Sequence, residues 1–130
     1  MNPVEASVSY LASEEALRSL ARDPYWPKWD SPWWHMTLLW ELGLAGRIPK
    51  ETGRAMAESI DAKYPKFFPT TPAELPPGAD PHRDIACHCA LGTMFQVLTA
   101  CGMAVDRELP WVRPWFLKYQ LQDGGLNCDE

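Results

Sequence analysis

The chain has 130 residues, 46% hydrophobic and 22% charged, enough apolar material for one buried core and unlike a disordered polymer. Its formal charge of −5 comes from 12 basic and 17 acidic side chains without a basic patch, which argues against nucleic acid and anionic membrane surfaces as partners. The 7 Trp point to a large apolar interior or pocket, and the 13 Pro, about twice the ordinary frequency, to short punctuated elements.

The pattern is helical throughout, with no convincing period-2 strand. Met1 to Tyr10 lacks a basic segment followed by an apolar run, so the chain reads as cytoplasmic. A first helix is expected over Val4 to Ala12, with Val4, Val8 and Leu11 on one side. Ser13 then reads as an N-cap, with Glu14 and Glu15 in the first turn, where carboxylates favour the exposed amides. That second helix runs to about Arg22. Asp23 to Asp30, with Pro24 and Pro27, interrupts the helical pattern, and Ser31-Pro32 restarts it, Ser as cap and Pro at the first position.

The third helix, Trp33 to Leu44, is apolar nearly all round and is expected to be buried on most sides, with Gly46 closing it. Pro49 opens a fourth, amphipathic helix to about Ala62. Lys63 to Pro81 holds six prolines and reads as a loop. A fifth helix is expected from about His82 to Ala100, with Gly102 as its C-cap. A sixth lies between Pro110 and Leu121, its regular part starting near Arg113 because of Pro114. Ile85 to Val105 contains no Asp, Glu, Lys or Arg and is long enough to span a bilayer. His88, Thr93, Gln96, Thr99 and two glycines within it favour a buried helix instead. Polar-faced and buried helices thus alternate, as a two-layer helical array requires.

Four cysteines, Cys87, Cys89, Cys101 and Cys128, are too few and too clustered for a disulfide scaffold and are expected as free thiols unless they bind metal. His82, Cys87, His88, Cys89 and Cys128 are the candidate metal ligands. If Cys87 and Cys89 were both on a helix they would lie about 200° apart, which keeps them from one ion. No cofactor is expected, zinc being the one metal these residue types would suit. His35, on the buried third helix, would be a general acid if it faced a cavity and a satisfied core residue otherwise. Trp29, Trp33, Trp34 and Trp40 are the candidate ligand-binding rings, dividing between lining a cavity and filling the core.

The segment Trp115-Phe116-Leu117-Lys118-Tyr119-Gln120-Leu121-Gln122-Asp123-Gly124-Gly125-Leu126 resembles the repeat signature of the terpenoid-cyclase and protein-prenyltransferase superfamily. That signature is an aromatic pair on a helix, a Gln, then a Gly-x-Trp turn; here Leu126 stands where the family usually carries Trp. A Gly-terminated helix with a chance Gln is the alternative. Lys28-Trp29-Asp30-Ser31 before an apolar helix ending in Leu42-Gly43, Cys89-Ala90-Leu91-Gly92, and Asp123-Gly124-Gly125-Leu126-Asn127-Cys128 are similar to an uncharacterised bacterial squalene-cyclase-like group.

The resemblance implies an all-α fold, a partial α/α toroid of about six helices around an apolar cavity for an isoprenoid or other hydrophobic molecule. Tryptophans lining such a cavity would stabilise carbocations by about 0.5–2 kcal/mol each. The relatives' aspartate-rich motifs do not carry over: the nearest approach, Asp80-Pro81-His82-Arg83-Asp84, lacks the doubled Asp, leaving Asp84 and His35 as the acid candidates. A complete toroid needs about a dozen helices. The chain would therefore be the N-terminal half of a longer protein or close by self-association, because open inner faces expose apolar surface. A non-catalytic, self-associating binding or scaffold module is the alternative function.

Overall fold

The computed structural model describes residues 1–27, 29–63, 73, 77–78 and 87–126. Among them are seven α-helices and no strand: α1 Pro3–Leu11, α2 Glu14–Arg22, α3 Pro32–Glu41, α4 Lys50–Lys63, α5 His88–Ala100, α6 Val105–Glu108 and α7 Val112–Tyr119, with a 3-10 turn at Ala45–Arg47. Side-chain caps set the starts of α1 and α2. The Asn2 side chain accepts from the Glu5 amide at 2.9 Å, and Ser13 Oγ accepts from the Ala16 amide at 3.2 Å while donating to Tyr10 O at 2.6 Å. Asp23 ends α2 in extended conformation, and its Oδ1 accepts from the amides of Tyr25 (2.8 Å) and Trp26 (2.7 Å), turning the chain ahead of a cis Trp26–Pro27 bond.

Two boundaries and one added helix differ from the sequence reading. The third helix ends at Glu41, and the residue that turns the chain is Gly43 at φ +72°; Gly46 falls in the 3-10 turn that follows. Cys87 is the N-cap of α5 at φ −84°, ψ 113°, so the helix begins at His88 and not near residue 82. α6 was not expected, because one turn of Val-Asp-Arg-Glu is too short to show a period. Gly102, at φ +96°, follows α5 where the C-terminal glycine was expected.

α3 is the hub. It packs on α1, α2 and α5, while α2 packs on α4 and α5 on α6. The core joins Leu11, Leu20, Met36, Leu39, Met56, Ile60, Leu91, Met94 and Leu98, all fully buried. Burying side chains of this size contributes about 1.5–3 kcal/mol each. Polar ties fix the layers: Thr52 Oγ1, buried in α4, donates to Leu11 O at 2.6 Å, satisfying a carbonyl at the end of α1. Gly53 of α4 faces the end of α5, where a Cβ would make ordinary contact with Cys101 Sγ at 3.6 Å. Trp111 Nε1 donates to Asp61 Oδ1 at 2.8 Å and joins the start of α7 to the end of α4.

The helix end at Tyr119 is closed by a small hydrogen-bonded turn. Gln120 Nε2 donates to Gly124 O (2.8 Å), the Leu121 amide to Gly125 O (2.8 Å), and the Gly125 amide to Asp123 Oδ1 (2.8 Å), with Gly124 at φ +88°. A side chain at Gly124 would strain this reversal. No described helix is long and apolar enough to cross a membrane. Within the described part of the apolar run from Ile85 to Val105, α5 supplies part of the core and ends at Ala100, and the turn at Gly102 follows its C-cap Cys101.

Candidate functional site: an aromatic cleft on the third helix

α3 is less covered than its composition predicts. Trp33, Met36 and Leu39 face the core, but Leu38 is 39% exposed and Leu42, one turn on, is 53% exposed. The open side holds a cleft of about 540 Å³ lined by Ser7, Trp29, Trp34, His35, Thr37, Leu38 and Glu41. The stripe Trp34, Leu38, Glu41 is the i, i+4, i+7 spacing that puts residues on one helix face. Trp29 reaches it from the preceding loop, its ring 5.2 Å from that of Trp34 and tilted by 42°. Trp34 in turn lies 4.8 Å from the core ring of Trp33.

One wall is polar. His35 Nδ1 is 3.0 Å from Ser7 Oγ, and the His35 ring lies 4.5 Å from that of Tyr10, so two residues of α1 orient the imidazole. Tyr10 Oη donates to Asp30 O at 3.3 Å, holding the Trp29–Asp30 turn against the same helix. Burial pushes Tyr10 up from its ordinary value, helped by the Glu15 and Asp30 carboxylates, so the phenol stays a proton donor. Burial lowers His35, with Asp30 opposing the shift. A neutral imidazole is thereby favoured, which suits a hydrogen bond to a ligand and disfavours the general-acid role. The Ser7–His35 pair is also a poor acyl-transfer centre. Ser7 lies inside α1, where backbone amides are spent on the helical ladder and cannot form an oxyanion hole.

Of the tryptophans singled out by sequence, Trp29 and Trp34 line the cleft. Trp33 is buried against Tyr25 and Trp34, and Trp40 packs half-buried on the core away from the cleft. Asp84, His82 and Cys128 lie outside the described residues, as does the Asp80–Asp84 motif. His88 stacks on Trp115, centroids 4.5 Å apart and planes 22° from parallel. Cys87 and Cys89 are not on opposite sides of a helix: with Cys87 outside it, their Sγ atoms come within 3.0 Å. Among the described residues, no three His, Cys, Asp or Glu side chains gather as a metal site.

Sequence reasoning missed Ser7, Tyr10, Thr37 and Leu38. Ser7 carried a signal, since it falls on the apolar Val4, Val8, Leu11 side of α1, where a polar residue needs a partner. Thr37 gave none: its hydroxyl donates to Trp33 O at 2.7 Å, as any helical Thr can do. The chain matches no family model, no curated protein and no solved structure.

Proposed function

We propose that this chain is a helical domain that holds a hydrophobic molecule of isoprenoid type against α3. The observation that carries this reading is the cleft itself. About 540 Å³ lies within the ordinary range for small-molecule sites, and its walls combine Trp29, Trp34 and Leu38 with polar groups at Ser7, His35, Thr37 and Glu41. An apolar chain would lie along the rings while a hydroxyl or similar end met the imidazole. The resemblance to squalene-cyclase-like proteins points the same way. The packing of α3 on α5 and of α2 on α4 supports a two-layer, toroid-like array, inner helix on inner and outer on outer. Binding is the activity the cleft supports; a neutral His35 is not poised to protonate an alkene.

The test is native mass spectrometry of the chain with farnesol, read beside tryptophan fluorescence. A one-to-one adduct and quenching are expected, both reduced by about tenfold or more in Leu38→Gln. No adduct, or an adduct indifferent to Leu38→Gln, would overturn the reading. The exposed Leu38 and Leu42 also favour a second reading, a self-associating module that covers this face with another copy. Sedimentation separates the two: a dimer dispersed by Leu38→Gln, with no farnesol adduct, supports the second.

A further inference from the structure

We propose that Cys87 and Cys89 form a redox-active dithiol, closed to a disulfide at the start of α5 by exchange with a small-molecule disulfide, because the fold brings their Sγ atoms to 3.0 Å with one thiol open and the other buried. Two cysteines separated by one residue meet poorly within a helix. Here Cys87 is the extended N-cap and Cys89 stands in the first turn, and this change of backbone at His88 turns both side chains to one side. A disulfide needs S–S of about 2.05 Å, so closure asks the sulfurs to approach by about 1 Å, within reach of small side-chain rotations.

Access sets the order of events. Cys89 is exposed and Cys87 is 2% exposed, so Cys89 is the thiol a disulfide reagent meets. Its thiolate attacks one sulfur of the reagent, forming a mixed disulfide and releasing the first reagent thiolate. Cys87 then attacks Cys89 Sγ, closing the protein disulfide and releasing the second. The two protein thiol protons pass to the two released thiolates. In sum, a protein dithiol and one reagent disulfide become a protein disulfide and two reagent thiols. Cys101 is a poor competitor. It caps the far end of α5, about 20 Å away for a helix of this length. Its thiol donates to Leu98 O at 3.1 Å, and burial raises it above its ordinary value.

The experiment treats the reduced full chain with oxidised glutathione and maps the thiols by intact mass and peptide fragmentation. The expected product has lost the two thiol hydrogens, carries a Cys87–Cys89 link, and returns to the dithiol with dithiothreitol. A C101S/C128S double variant should behave the same way. In Cys87→Ala the reaction should stall with glutathione on Cys89, lowering the yield of closed disulfide by at least about tenfold. Circular dichroism checks that this variant folds, and the unmutated chain tests the proposal without it. A stable glutathione adduct on the unmutated chain would overturn the proposal. So would a link made instead to Cys101 or Cys128, unreactive thiols, or a bound zinc ion that shields the pair.

Discussion

α3 and α5 read almost alike as sequence, both apolar helices that pack on each other, yet they present different surfaces. On α5 the stripe Cys89, Thr93, Gln96, Ala100 leaves the core at helical spacing and carries two polar side chains, Thr93 and Gln96. Thr93 Oγ1 donates to Cys89 O at 2.8 Å and Gln96 Nε2 to Gly92 O at 3.4 Å, so part of that surface is satisfied by its own helix. On α3 the matching stripe is Trp34, Leu38, Glu41, with Trp29, 68% exposed, standing over it. Total hydrophobicity does not distinguish the two exposed surfaces. The chemistry of the side that packing leaves uncovered does.

The strongest way to break the comparison is to ask whether the covered sides really are equivalent. Met36 on α3 and Met94 on α5 are both fully buried. Met36→Ala and Met94→Ala should each cost about 2–5 kcal/mol in denaturant unfolding, through lost transfer energy and the cavity left behind. Similar losses would show that one core seam serves both helices. A Met36→Ala loss below about 1 kcal/mol would mean that the cleft has let α3 relax into the space.

A smaller effect follows from His35, the titratable group that α3 half-buries beside its cleft. Because burial lowers its pKa, the unfolded chain takes up a proton at His35 at pH values where the folded chain does not. Well above about pH 6.5 both forms are neutral and the group adds no slope. As pH falls below that value unfolding is favoured, until the folded form is protonated too. The unmutated chain should therefore lose more stability between neutral and mildly acidic pH than His35→Gln does. Parallel curves for the two proteins would contradict the buried, neutral imidazole.

Most helices were legible because their stop and start signals are local. Ser13 acts through a hydrogen bond within one turn, and Pro32, Pro49 and Gly102 act through backbone geometry. Three things were not. The short α6 offers no period, the end of α3 had two candidate glycines, and the position of Cys87 depended on where a helix starts inside an unbroken apolar run. The cleft was half legible. Trp29 and Trp34 were recognisable as large rings, but their separation from Trp33 and Trp40 is decided by how α1 and α5 dock on α3. Ser7 became a partner of His35 only through a contact between residues 28 positions apart, which no local pattern encodes.

The smallest expected effect sharpens the comparison most, because it separates packing from binding. Leu38 lies on the uncovered side, so Leu38→Gln should change folding stability by no more than about 0.5 kcal/mol, unlike the methionine variants on the opposite side. The same change should still remove farnesol-dependent quenching. Gln96→Leu makes the converse substitution on the exposed stripe of α5. It should also leave stability nearly unchanged, and it should not create a farnesol site, since the apolar pocket beside α5, between Phe95 and Phe116, holds about 210 Å³, less than half the volume of the α3 cleft. If Gln96→Leu did acquire binding, exposed aliphatic surface alone would be enough, and the aromatic cleft would lose its special standing. If Leu38→Gln instead unfolded the chain, the open face of α3 would belong to the folding core, and its loss of binding would carry no information about a site.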